Sequence, residues 1–223
     1  MGIDMANTDT GRWRAAGWPG PRSDGGSAAL TAVTALHELS EIDLQVYRAV
    51  ARAPSPTLDR LLRRLSRTAN RSRLWLVTAG GIAAFGGPAG RRAAGAGVAA
   101  IAVDSAVVNL AAKWVARRPR PDPDGAEVPI ARRVPMPLSP AFPSGHSASG
   151  FAFANAVAQI LPPVALPLRV LACAVGYSRV HTGVHYPGDV IVGGIVGATV
   201  GEAVGWSVWR VHARRRSPLG SLR

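Results

Sequence analysis

Residues 178–189, SRVHTGVHYPGD, set an arginine, two histidines and an aspartate between two apolar segments, VLACAVGY (170–177) and VIVGGIVGATVG (190–201). Ionisable groups are costly next to hydrocarbon and are partnered where they occur there. Pro187-Gly188 breaks any helix running through the stretch. It therefore reads as the end of one apolar helix, a polar turn and the start of the next.

Outward from this turn the chain is a series of apolar runs: 74–89, 93–112 (interrupted by Asp104 and Asn109), 147–161, 167–177 and 190–208. A spanning helix needs about 20 mostly apolar residues. The last run qualifies, the second does if Asp104 and Asn109 face protein, and the others must borrow from their flanks. No alternating strand pattern occurs. The expectation is an all-α fold, an integral-membrane helical bundle of about five spans. Trp75, Trp114, Trp206 and Trp209 flank the runs as interface anchors do.

Before the bundle, residues 1–35 lack periodicity and read as a disordered tail. Residues 36–73 carry apolar residues at helical spacing, with arginines on the opposite face, and Pro54 and Pro56 split them into two helices. They read as an amphipathic, interfacial segment. Residues 74–210 form the membrane domain and 211–223 a basic tail. Between the second and third runs, eight prolines from Pro119 to Pro143 exclude a helix and give a polar loop.

The net charge of +13 is almost all arginine, with Lys113 the only lysine. It tracks an Ala/Gly/Arg-rich composition and does not by itself indicate a nucleic-acid partner. The single cysteine, Cys173, allows no intrachain disulfide and reads as a small buried hydrophobe. No apolar stretch near the N-terminus resembles a cleavable signal.

Threading the runs back and forth brings three polar clusters to one side. They are Lys113 with Arg120-Pro121, Pro143-Ser144-Gly145-His146, and Ser178-Arg179 with His185 and Asp189. Three cations, Lys113, Arg120 and Arg179, repel one another unless an anion joins them, and guanidinium forks suit phosphate oxygens. The PSGH turn opens a helix, so the Ser144 hydroxyl and the N–H groups of Gly145 and His146 form an anion cradle. One histidine can attack phosphorus while the other protonates the leaving oxygen. Asp189, four residues after His185, can fix its tautomer.

Lys113-x6-Arg120-Pro121, PSGH and Ser178-Arg179-x5-His185-x3-Asp189 together resemble the three-part signature of the type 2 phosphatidic acid phosphatase superfamily. That group includes lipid phosphate phosphatases, bacterial acid phosphatases and vanadium haloperoxidases. The resemblance implies the superfamily's helical phosphatase core in its membrane branch. It further implies metal-independent hydrolysis, without cofactor, of a phosphomonoester or diphosphate on a lipid: phosphatidate, phosphatidylglycerol phosphate or a polyprenyl (di)phosphate. By resemblance His185 is the nucleophile that forms a phosphohistidine, Asp189 orients it, and His146 is the general acid and base. Lys113, Arg120, Ser144, Gly145 and Arg179 hold the phosphoryl oxygens. Rival readings are a non-catalytic membrane-anchored binder of lipid phosphates and a vanadate-dependent haloperoxidase. The resemblance points to a site on the outer membrane face, whereas the loop arginines favour the cytoplasmic face.

Overall fold

The computed structural model describes residues 27–53, 56–114 and 118–216, which divide between Ile42 and Asp43 into two compact units. The elements are helical: α1 (Ser27–Arg52), α2 (Pro56–Thr68), α3 (Arg73–Phe85), α4 (Gly87–Trp114), α5 (Gly145–Ala158), α6 (Ala165–His181) and α7 (Pro187–Arg216). Short 3₁₀ turns occur at Asn70–Ser72, Ile130–Arg132 and Pro162–Val164. In the first unit the described chain is the opening of α1, with Leu39 and Ile42 exposed. That helix begins inside the stretch expected to be a tail, while residues 1–26 lie outside the described residues.

In the second unit α5 is the central helix, packed by α4, α6 and α7. Its composition explains why: Gly145–Ala158 is almost wholly small or aromatic and buries nearly every side chain. Along α7, glycines recur every fourth residue at 193, 197, 201 and 205, on one face of the helix. A Cβ on Gly197 would sit 2.0 Å from the Ala148 carbonyl oxygen, and one on Gly201 2.4 Å from that of Ala152. Only hydrogen side chains let the two backbones come this close, the packing mode of helices that lack a hydrophobic drive to associate. At the upper end of this seam the Ser144 N–H donates to the Asp189 carbonyl (2.9 Å) and Ser147 Oγ to that of Val190 (2.7 Å). The start of α5 is thereby tied to the start of α7.

The other face of α5 carries the core of Phe153, Val157, Trp75, Ile101, Leu168 and Val175. Trp75 is 1% exposed, with its ring centroid 5.5 Å from that of Phe153. It is a core residue and not an interface anchor: it lies in the first turn of α3, and its ring packs against Phe153 and Gly150 of α5. Cys173 departs from expectation the other way, being exposed on the outer face of α6.

Among the described residues, two helices are long and apolar enough to cross a membrane, Gly87–Leu110 and Pro187–Arg214. Asp104, inside the first, is fully buried and accepts a long 3.4 Å hydrogen bond from Ser149 Oγ, so it faces protein as a crossing requires. The remaining bundle helices are shorter, at 13 residues for α3, 14 for α5 and 17 for α6.

The amphipathic helix α2 turns an unexpected face inward. Asp59, Leu62 and Ser66 are buried, while Leu58 and Leu61 are 46% and 63% exposed. Inward polar groups are tolerable because each is matched. Asp59 meets Arg132 Nε (2.7 Å) and His181 Nε2 (2.9 Å), and Ser66 Oγ accepts from Arg179 (2.5 Å). Arg132 is 1% exposed and also donates to the carbonyls of Val50, Ala51 and Ala53, capping the end of α1.

Candidate active site

The polar turn of the opening sequence is built by its own helix signals. α6 ends at His181, and Gly183 takes a left-handed backbone (φ 78°) that turns the chain back. α7 then starts with Tyr186 as N-cap, Pro187 in the first helical position and Asp189 two residues on. Asp189 Oδ2 accepts the Tyr186 N–H at 2.9 Å, the half of a capping box that fixes an acidic side chain at a helix start. Asp189 is therefore placed by local geometry. Its Oδ1 pairs with Arg118 (2.9 Å), which also binds Asp43 (2.7 Å) and lies over the Tyr186 ring at 4.1 Å. Asp43 in turn accepts the Gly188 N–H at 2.6 Å.

His185 is 2% exposed. Its Nδ1 lies 3.4 Å from Asp189 Oδ2, the oxygen that also accepts the Tyr186 N–H. Its Nε2 lies 3.2 Å from Arg120 Nη1. A guanidinium can only donate, so Nε2 must offer its lone pair and the ring proton sits on Nδ1, toward the carboxylate. Burial pushes the imidazole below its ordinary range; Asp189 opposes this, while Arg120 and Arg179 add to it. The ring is neutral, with the Nε2 lone pair toward Arg120.

Arg120 is fixed by the proline-rich loop. It donates to the carbonyls of Ser139 (2.8 Å), Pro140 (3.3 Å) and Val184 (2.7 Å). Arg179 is buried, with Nη1 on Ser66, while its Nε has no partner among the described residues. Ser144 stands at the N-cap of α5, yet its side chain makes no capping bond, and its buried hydroxyl is likewise unpartnered among the described residues. A serine there ordinarily caps the helix. Left uncapped, the hydroxyl and the first-turn N–H groups remain available to an anion.

His146, in the first turn of α5 just before the apolar run, has Nε2 2.9 Å from Asn70 Oδ1. With that oxygen accepting, Nε2 carries the proton. Surrounding protein displaces its solvating water and, with Arg179, His185 and Arg120 close by, pushes its pKa down to about 3. An anion among those cations reverses their effect and restores basicity.

Arg120, Gly145, His146 and His185 all line one cavity of about 260 Å³, walled also by Arg71, Ser72, Trp75, Asn109 and Ser149. Three segments remote in sequence thus meet around one space. The Lys113 side chain lies outside the described residues; its backbone is in the last turn of α4. Asn70, Ser66 and Ser139 were not singled out from sequence. Two of them lie before the first motif, and their only signal is a polar residue on an otherwise core-facing helix side.

The family model for the PAP2 superfamily matches residues 93–216. The chain belongs to the PAP2 superfamily. Over 111 residues it is 40% identical to a Mycobacterium tuberculosis decaprenylphosphoryl-5-phosphoribose phosphatase, covering 47% of this chain and 56% of that one. A lipid A 1-phosphatase of Rhizobium johnstonii is 44% identical over 57 residues, 26% of this chain and 23% of that one. The chain therefore spans about half or less of the length of these curated relatives. Among solved structures, LpxE of Aquifex aeolicus superposes with a TM-score of 0.60 at 24% identity, covering 73% of this chain and 94% of that one. A transmembrane PAP2-type phosphatidylglycerolphosphate phosphatase from Bacillus subtilis gives 0.57 at 20%, covering 85% and 94%. These likenesses show that the chain has the PAP2 fold.

Proposed function

We propose that this PAP2 protein is a multi-pass membrane phosphatase that removes phosphate from a lipid phosphomonoester or diphosphate. The carrying observation is the shared cavity of Arg120, Gly145, His146 and His185, with His185 presenting an unprotonated Nε2. His185 Nε2 attacks phosphorus and the bond to the ester oxygen breaks. With the substrate's phosphate among the cations His146 is the imidazolium; it passes its Nε2 proton to that oxygen and becomes neutral, freeing the alcohol, or the lipid monophosphate when a diphosphate is cleaved. His146 then takes a proton from water, which attacks the phosphohistidine and releases inorganic phosphate. Arg120, Arg179, Lys113, Ser144 and the Gly145 N–H stabilise the charge spread over the phosphoryl oxygens. Asp189 holds the His185 tautomer.

The bundle crosses the bilayer about five times, the shorter helices α3, α5 and α6 being completed by their flanking turns. Supporting this, α3 and α6 expose apolar side chains outward: Val77, Phe85, Leu166 and Val170. Helix α2, with Leu58 and Leu61 exposed beside Arg60, Arg64 and Arg67, lies in the interface near the cavity mouth. The named relatives act on different lipid-borne phosphates, consistent with a site that reads the phosphoryl group first.

Phosphate release from phosphatidate and farnesyl phosphate in detergent micelles tests the reading. Wild type should turn over at least one, and His185→Ala should fall by at least about 10³-fold. Normal release by His185→Ala would remove the mechanism. Tight binding without release would favour a non-catalytic binder, and bromide oxidation with added vanadate a haloperoxidase.

A further inference from the structure

The turn between α2 and α3 bears on which leaving groups the site accepts, an inference that rests on the phosphatase reading above. In this turn Arg71 (φ 54°, ψ 34°) and Ser72 (φ 56°, ψ 15°) are consecutive left-handed residues. Side chains rarely adopt that backbone, and two in succession mark a segment held by its surroundings. Both residues wall the cavity that holds His146 and His185. The preceding residue, Asn70, takes the proton-bearing nitrogen of His146. His146 protonates the departing oxygen, so the leaving group exits beside Asn70, and Arg71 and Ser72 are the next groups it meets.

The arginines of this region differ in how they are engaged. Arg120 is held by loop carbonyls, Arg179 by Ser66, Arg118 by Asp43 and Asp189, and Arg133 by Asp124. Arg71 is exposed and, among the described residues, has neither an ion pair nor a hydrogen bond. A guanidinium without an acceptor, on the wall where the leaving group departs, suits an anion carried by that group.

We propose that the 69–72 turn is a leaving-group subsite in which Arg71, assisted by the Ser72 hydroxyl, pairs with a second phosphate on the departing side. The favoured substrates then carry two phosphates: a lipid diphosphate, or a phosphomonoester on a group that is itself joined to lipid through a phosphodiester. Phosphomonoesters of neutral alcohols are turned over at the basal rate.

The test compares farnesyl diphosphate with farnesyl phosphate in the same micelles, using wild type, Arg71→Ala, Arg71→Gly and Arg71→Lys. Glycine suits the left-handed backbone, so Arg71→Gly removes the charge without adding strain. Wild type should favour the diphosphate in kcat/KM by about tenfold or more, the scale of one charge-assisted contact. Arg71→Ala and Arg71→Gly should lose most of that preference, through KM, while farnesyl phosphate turnover stays within about twofold. Arg71→Lys should keep part of it, and added salt should erode the wild-type preference. Equal losses on both substrates, or a preference that survives Arg71→Gly, would overturn the subsite alone. Failure of wild type to release phosphate from either substrate would overturn the phosphatase reading with it.

Discussion

The seam between α5 and α7 and the rim beside α2 hold the same cavity by opposite means. The seam is backbone against backbone, with a glycine every fourth residue. The rim is side chain against side chain: Arg179 on Ser66, Arg132 and His181 on Asp59, Arg118 on Asp43 and Asp189. The seam delivers the starts of two helices, and with them His146, Ser144 and Asp189, to one place. The rim then holds Arg179 and Asp189 of the proposed site in place. Damage to the seam should cost the fold, and damage to the rim should cost turnover while leaving the fold intact.

The largest effect should come from filling the seam. Gly197→Leu drives a side chain into the Ala148 carbonyl, where even a Cβ would lie 2.0 Å away. Forced overpacking costs about 1–3 kcal/mol or more, and this contact is with backbone that cannot rotate away. The expected outcome is loss of a monodisperse, cooperatively melting protein in detergent. Gly95→Ala on α4, where a Cβ meets nothing within 4 Å, should be neutral or stabilising by about 0.5–1 kcal/mol on the same melt.

At the rim, Asp189→Asn keeps the hydrogen-bonding shape but loses the charge facing His185 and Arg118. It should fold normally and lower kcat by on the order of 10²- to 10⁴-fold, the range seen when a triad carboxylate becomes an amide. Ser66→Ala removes the acceptor that steers Arg179 and should lower kcat/KM by about tenfold, with a melting point close to wild type. A Ser66→Ala protein with full activity would show that Arg179 needs no steering from α2.

The smallest effect is on stability against pH. His146 and His185 are both held below the ordinary imidazole range in the fold. Below about pH 6.5 the unfolded chain binds protons that the folded chain refuses, so stability should fall as pH drops from there toward 3. Inorganic phosphate should offset part of the loss by restoring His146 basicity. Thermal melts at pH 7 and pH 5, with and without phosphate, would check both signs.

Much of the architecture was legible in the sequence because apolar runs and helix breakers are local signals. The end of α1 at Arg52 and the start of α2 at Pro56 were marked by Pro54 and Pro56, and the α6–α7 turn by Pro187-Gly188. The convergence of three motif clusters followed from counting runs. The α3–α4 boundary was less visible: the chain breaks at Gly86–Gly87, and Arg91 and Arg92 lie inside α4 instead of ending a run. What the sequence hid was pairing across distance. A tryptophan near a run's end can anchor an interface or fill a core, and only the approach of α5 decides for Trp75. Asp59, Ser66 and Asn70 read as polar residues of an amphipathic segment, because their partners Arg132, Arg179 and His146 lie more than 70 residues away. The glycines of α7 were visible as composition, but their common face matters only once α5 lies against them.

The central claim is that one anion is handled by all these segments, with His185 Nε2 as the attacking atom. Acid-free quenching of wild type during turnover of ³²P-labelled farnesyl phosphate, followed by peptide mapping, tests it most directly. The account predicts an alkali-stable, acid-labile phosphoryl group on His185, absent from His185→Asn. A phosphoryl group on any other residue, or undiminished turnover in His185→Asn, would contradict it.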